Sequence, residues 1–137
     1  MKAVLDASVI AKVLFYEEGT EIVQELIHSI KYLYQPMIFP IEMISIITKK
    51  YRKREIDYKS ALLKVEELKE REYELIPHEL ISGEAFEIAT QLPVSYCDAL
   101  YVSTAALTES ILYSADERLV RGLSTTKLSS YVKSIYD

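Results

Sequence analysis

Val4-Leu5-Asp6-Ala7-Ser8-Val9-Ile10-Ala11-Lys12 runs from a short apolar strand, through an acid, straight into an apolar helix. Residues 2–6 read as a strand ending on Asp6, and residues 8–16 as a helix with Asp6 or Ser8 as its cap. A strand that ends on an acid and turns at once into a helix is half of a β-α-β unit.

The rest of the chain repeats that alternation. Gly19-Thr20 opens a second helix with Ile22, Val23, Leu26, Ile27 and Ile30 on one face. Residues 36–39 are the second strand candidate. Pro40 suits the first turn of the next helix, which runs to about Arg54. Asp57 caps another, with Leu62, Val65 and Leu68 predicted inward. Residues 73–76 make a third strand, and a helix follows over 79–92. Ser95-Tyr96-Cys97-Asp98 has the spacing of a capping box. It opens a helix to about Thr108 that is apolar almost all round and therefore predicted buried. Residues 111–114 are the fourth strand and 116–123 a short helix after it. In the tail, Leu128, Tyr131, Val132 and Ile135 fit a helix, whereas residues 127–132 also fit an edge strand. Strands alternating with helices predict an α/β fold: a mainly parallel sheet with helices on both faces. In such sheets the working site lies beyond the carboxyl ends of the strands.

The 137 residues, half of them hydrophobic and 27% charged, fit a single domain over 1–137 with one core and argue against disorder. No apolar run can span a bilayer, and the N-terminus lacks a signal-peptide pattern, so a cytoplasmic location is expected. The single cysteine, Cys97, cannot form an internal disulfide and fits a reducing compartment. A net charge of −5 argues against a general nucleic-acid coat while leaving room for a local basic path.

Asp6 and Asp116 each follow an apolar strand and precede a helix, and Glu42 is predicted in the first turn of the helix after strand two. Local pattern alone brings these three to the strand-end edge. Asp98, in the first turn of the buried helix, needs the tertiary fold to join them. Taken singly, each acid also fits a helix cap or a dipole partner. Taken together, converging carboxylates repel one another and resist joint ionisation. A hard divalent cation, Mg²⁺ or Mn²⁺, relieves that conflict. No His or Cys cluster has zinc spacing; His28 and His78 lie far apart. One or two such ions could activate water and stabilise the leaving oxygen of a phosphodiester.

The first stretch, followed by Glu17-Glu18-Gly19, resembles the opening of a PIN domain. Pro40-Ile41-Glu42, Tyr96-Cys97-Asp98-Ala99-Leu100-Tyr101 and Leu112-Tyr113-Ser114-Ala115-Asp116-Glu117-Arg118-Leu119 resemble that family's second, third and fourth acidic motifs, in order. The resemblance covers essentially the whole chain, and its compact length is similar to the toxin subunit of VapBC-type toxin–antitoxin pairs. It implies a three-layer α/β/α sandwich and a Mg²⁺- or Mn²⁺-dependent endoribonuclease. It maps Asp6, Glu42, Asp98 and Asp116 onto the metal-binding, catalytic acids. Ser8 matches the small hydroxyl residue of the first motif, and Ser114 stands where the family often has Thr. Both would support the acids through hydrogen bonds. The resemblance also implies a small antitoxin protein and a homodimer as partners. An acidic pocket invites an Arg or Lys from such a protein. Val13, Leu14, Phe15, Ile22 and Leu26, on the first two helices, are candidates for a groove that takes its apolar residues, or else for core.

Residues 49–54 hold five cations interrupted by Tyr51. On an ideal helix, Lys49 and Lys53 project on the same side as Glu42, as a rail for an RNA backbone. Cations at a helix C-terminus also simply complement its dipole. Lys12, four residues past Ser8, is a further candidate for a phosphate contact or for a partner to a site carboxylate. Most of the eleven tyrosines fall at element ends and on amphipathic faces, where packing accounts for them. A phosphoacceptor receiver would need an acid at the end of a middle strand, but the third strand ends Ile76-Pro77-His78. A haloacid-dehalogenase-like phosphatase would need Asp-x-Asp after strand one, and position 8 is Ser. A non-catalytic PIN-like interaction domain would be expected to have lost acids. A PIN nuclease of RNA processing is the remaining alternative.

Overall fold

A computed structural model describes all of residues 1–137. Its elements are β1 (Lys2–Leu5), α1 (Ala7–Leu14), α2 (Thr20–Ser29), β2 (Tyr32–Pro36), α3 (Ile38–Arg52), α4 (Tyr58–Glu70) and β3 (Glu74–Ile76), followed by α5 (Ser82–Gln91), α6 (Tyr96–Thr108), β4 (Ile111–Ser114), α7 (Glu117–Leu123) and β5 (Val132–Ser134). The five strands form one sheet in the order β3-β2-β1-β4-β5, and every pair is parallel. No helix is long and apolar enough to cross a membrane.

The strand order explains the layers. From β1 the chain moves outward to β2 and then β3. It then jumps back over the sheet to β4 and continues to β5. Right-handed crossovers in opposite directions put their helices on opposite faces. So α1 to α4 cover one face and α5 to α7 the other, giving three layers. The long return crossover carries α6, which lies on β1, β2 and β4. Seven consecutive residues of α6, Ala99 to Ala105, are buried. That is the all-round apolar pattern expected of this helix, and it makes α6 the centre of its layer.

The direction of strand order reverses at β1, between its neighbours β2 and β4. Loops leaving β1 and β4 therefore diverge and open a crevice at their carboxyl ends. The register Leu5↔Tyr113 brings Asp6 and the Ser114–Asp116 turn to the same edge. On the other side, β1 and β2 pair only at Lys2↔Tyr32 and Ala3↔Leu33. Beyond that the fully buried Gln35 side chain replaces the ladder. Its Oε1 accepts from Leu5 N at 3.2 Å and its Nε2 donates to Leu5 O at 2.8 Å. Gln35 thus anchors the last residue before Asp6 while the strands part.

Several elements lie elsewhere than the sequence predicts. The second strand is at Tyr32–Pro36, because Ile38 and Phe39 belong to the first turn of α3. Pro40 is only the third residue of that helix, where its missing N–H has no intrahelical partner to lose. As a result Glu42 sits in the second turn rather than the first. The predicted 79–92 helix divides into a 3-10 turn at His78–Leu80 and α5. On α4, Leu68 is buried, but Leu62 and Leu63 are about half exposed. The tail resolves to a 3-10 turn at Lys127–Tyr131 followed by the short edge strand β5.

Candidate active site

Four elements deliver four carboxylates to one cavity of about 300 Å³, lined by Asp6, Ser8, Glu42, Lys49, Asp98, Tyr101 and Asp116 among others. Asp6 follows β1 and caps α1. Its Oδ1 accepts from Ser8 Oγ at 2.6 Å and from Val9 N at 3.1 Å. Asp116 follows β4 and caps α7, accepting from Arg118 N at 2.9 Å. Asp98 lies in the first turn of α6, whose cap Ser95 accepts from Asp98 N at 3.0 Å. Glu42, on α3, faces α6, and Tyr101 donates its hydroxyl to Glu42 Oε1 at 2.6 Å.

Burial sets the electrostatics. It pushes the Asp6 carboxyl above the usual carboxylate range, although the Ser114 and Ser8 hydroxyls and the Val9 N–H pull the other way. Glu42 is raised by burial and, beyond that, by the charges of Asp98 and Asp6, against the Tyr101 hydrogen bond. Asp98 is raised by burial and by Asp116, while Ser95 and Arg118 oppose this. The four acids are therefore close enough to feel one another. The Tyr101 hydroxyl is raised far above the phenol range, chiefly by burial and then by its bond to Glu42. It remains a proton donor to Glu42 throughout the pH range in which proteins function.

Ser114 ties the two strand ends together. Its hydroxyl accepts from Asp116 N at 3.0 Å and lies near enough to Asp6 to pull that carboxyl's pKa down. Across the next strand, Ser134 Oγ donates to Glu117 Oε1 at 3.1 Å, fixing β5 to the start of α7.

The candidate cations do not travel together. Lys49 lines the cavity. Lys53 is the C-cap of α3 and is exposed outside the cavity, because the helix ends at Arg52 and its turn is not continued. Lys12 Nζ donates to the Glu18 carbonyl at 3.0 Å, on the turn between α1 and α2. That turn is held by Gly19 at φ +92°, and a Cβ there would meet the Tyr136 hydroxyl at 3.1 Å. Lys50 is also committed elsewhere, to Glu17 at 3.1 Å and over the Phe15 ring at 4.7 Å.

Two residues that position the site are not evident from the sequence. Tyr101 lies three positions after Asp98, one turn on along α6, so helical spacing from an acid is the one signal that points to it. Gln35 has none, since it lies outside the predicted second strand. Cys97 is a partly exposed free thiol. It is held protonated by burial and by the charges of Glu42 and Asp98, which disfavours a nucleophilic role.

An all-oxygen donor set of mutually repelling carboxylates has the chemistry of a hard-cation site. As the side chains stand, no three His, Cys, Asp or Glu groups are arranged to enclose an ion by themselves. The two observations are compatible: Mg²⁺ keeps several waters and takes one or two carboxylates plus substrate phosphate, rather than a closed protein cage.

The fold has counterparts among known proteins. No curated protein matches the sequence. Among solved structures, the chain is similar to a VapBC structure from nontypeable Haemophilus influenzae (17% identity, TM-score 0.72, all of both chains). It is similar to a crystal structure from Pyrobaculum aerophilum (15%, TM-score 0.72, 99% of this chain and 85% of that one). It is also similar to a toxin–antitoxin complex from Klebsiella pneumoniae (14%, TM-score 0.65, 98% of each chain). At these identities the likeness shows the fold. A sequence profile described as PIN domain matches residues 3–122, and the chain belongs to the PIN-domain family.

Proposed function

We propose that this chain is a metal-dependent endoribonuclease acting as the toxin of a toxin–antitoxin pair, and that residues 1–137 work as a single nuclease domain. PIN domains are generally nucleases. The observation that carries the reading is the meeting of Asp6, Glu42, Asp98 and Asp116 from four separate elements at one cavity, with burial and mutual repulsion raising three of them. Carboxylates held in that state bind a divalent cation more readily than they remain jointly charged without one. Mg²⁺ or Mn²⁺, as one or two ions, would supply Lewis acidity toward the phosphodiester and a more acidic water.

The protein's own groups have separable tasks. Asp6, Glu42, Asp98 and Asp116 hold the cation. Ser8 and Ser114 orient Asp6, and Tyr101 orients Glu42. Lys49 is the one lysine placed to meet a phosphate at the cavity. Lys12, held at the Glu18 carbonyl, and Lys53, exposed at the end of α3, would meet phosphates only outside the cavity.

The partner reading rests on two supports. The solved relatives include toxin–antitoxin complexes. The acidic cavity also complements an Arg or Lys from a partner, which would compete with the metal. Of the apolar residues on α1 and α2, Leu14 is core, whereas Ile22 is exposed. Exposed Ile41, Ile44, Leu62 and Leu63 on α3 and α4 add apolar surface for an antitoxin or for a homodimer.

The test is digestion of a mixed RNA pool with Mn²⁺, followed by mapping of the new ends. Cleavage is expected at defined sites, with loss in EDTA and in Asp6→Asn. Co-expression with an adjacent small open reading frame should give a complex that does not cleave. No cleavage by well-folded protein would leave a non-catalytic PIN-like binding domain. Active cleavage without such a partner would leave a nuclease of RNA processing.

A further inference from the structure

We propose that the turn between α3 and α4 is a second RNA site that docks one nucleotide of the single strand at a distance from the scissile phosphate; this rests on the ribonuclease reading. The turn forms an open cleft of about 540 Å³, walled by Tyr51, Arg52, Arg54 and Tyr58, with Glu55 and Asp57 also lining it. It is larger than the carboxylate cavity and shares no residue with it.

Its chemistry is that of a nucleotide. Tyr58 is 64% exposed and Tyr51 is 44% exposed. Their rings stand edge to face with centroids 5.7 Å apart, so each braces the other while leaving aromatic surface free. None of the ion pairs in the molecule uses Arg52, Lys53 or Arg54. The two acids of the cleft are already engaged. Glu55 lies 3.9 Å from Lys50, and Asp57 caps α4 by accepting from Ser60 N at 2.7 Å. Arg52, Lys53 and Arg54 stand without ion-pair partners beside two carboxylates that keep their charge, which leaves the turn locally basic on a chain whose net charge is −5. Arg54 keeps a left-handed backbone at φ 62°, a conformation a glycine would adopt more easily.

Cations alone would suit any polyanion, including an acidic peptide. Interleaving them with two exposed tyrosines favours a base on an aromatic face with phosphates on the flanking guanidinium groups. Continuity favours the same occupant. From Glu42 to Arg52 along α3 is ten residues, roughly 15 Å, and Lys49 lies between them at the cavity. Tyr51, nine residues after Glu42, projects from the opposite side of α3, so a strand leaving the carboxylates passes Lys49 and reaches the tyrosines by rounding the end of the helix.

The test is binding, in EDTA, of an oligonucleotide long enough to span both sites. It carries a fluorescent purine analogue whose emission is quenched on stacking. Wild type should quench it and bind it more tightly than a strand too short to span. The double variant Tyr51→Ala, Tyr58→Ala should lose the quenching and roughly tenfold or more in affinity for the long strand. The double Tyr→Phe variant should retain both, which separates lost stacking from lost fold. Arg52→Ala with Arg54→Ala should weaken binding and flatten its salt dependence. If the Tyr→Ala variant quenches and binds like wild type while Asp6→Asn still abolishes cleavage, the nuclease reading stands and this site falls. The site also falls if RNA affinity is untouched in that variant and an acidic peptide binds the turn instead. If wild type neither cleaves nor binds RNA, both readings fall.

Discussion

The two ends of α3 carry opposite charges in opposite surroundings. Near its start, Glu42 is half-buried against α6, and its oxygen is held 2.6 Å from the Tyr101 hydroxyl. At its end, Arg52, Lys53 and Arg54 are exposed and free of ion pairs. The same helix thus carries a desolvated acid fixed by a neighbour and solvated bases fixed by nothing. Low dielectric magnifies what happens at the first end and water screens what happens at the second. Changes at Glu42 should therefore alter the chemical step and the stability of the fold. Changes at the cations should alter only how RNA is held.

The largest effect is expected at the acid. Glu42→Gln keeps an acceptor for Tyr101 but removes the charge. Its kcat for RNA cleavage should fall by more than about 100-fold, the upper end for loss of a merely supporting partner. A loss confined to KM would erase the distinction between the two ends.

Next comes the group that holds the acid. Tyr101→Phe removes the hydroxyl without opening a void, so the fold should persist. Activity or metal affinity should drop by about 10- to 100-fold, as measured by Mn²⁺ titration of the cleavage rate. An unchanged titration would mean that Glu42 is positioned without Tyr101.

The third effect is on stability. Asp6, Glu42 and Asp98 are all raised in the folded protein, so folded protein binds more protons than unfolded protein in that range. Metal-free stability should thus be greatest below the ordinary carboxylate pKa and fall as pH rises from there through the raised values. Metal binding needs the charged forms, so the rise in Tm with Mn²⁺ should grow with pH. At about 100 times its Kd the ion adds roughly 2.7 kcal/mol. Thermal melts across pH, with and without Mn²⁺, measure both trends. A metal-free Tm that climbs over that window would contradict the burial argument.

Smallest is the basic end. Lys49→Ala removes the one lysine that lines the carboxylate cavity. It should weaken RNA binding and make its salt slope shallower by roughly 0.7, and Lys53→Ala should do less. Equal effects in fluorescence anisotropy would restore the single rail that helical spacing predicts.

This contrast also marks what is legible in the sequence. Asp6 and Asp116 can be located because a strand, an acid and a helix in succession form a local pattern, and Ser95 because a capping box is local too. The α/β alternation and the buried α6 follow from periodicity in the same way. Glu42 is expected one turn too early because a proline marks a first turn without saying which residue of that turn it is. Lys53 and Lys49 have equivalent helical spacing, and only the place where α3 stops separates them. Tyr101 and Gln35 act across the fold, on Glu42 and Leu5; helical spacing from Asp98 is the one local hint of Tyr101, and nothing near Gln35 in the sequence points to its role. Leu62 looks like core by periodicity, yet α4 lies at the outside of its layer.

Asp98 is the acid that only the fold brings to the others, so it bears most directly on the claim that four elements build one cation-dependent site. The decisive measurement is the rate of single-stranded RNA cleavage against Mn²⁺ concentration for wild type and Asp98→Asn, with thermal melts confirming that both are folded. Wild type should show a saturable Mn²⁺ dependence and no cleavage in EDTA, and the variant should lose most activity. Undiminished cleavage in EDTA, or a fully active Asp98→Asn protein, would contradict that claim.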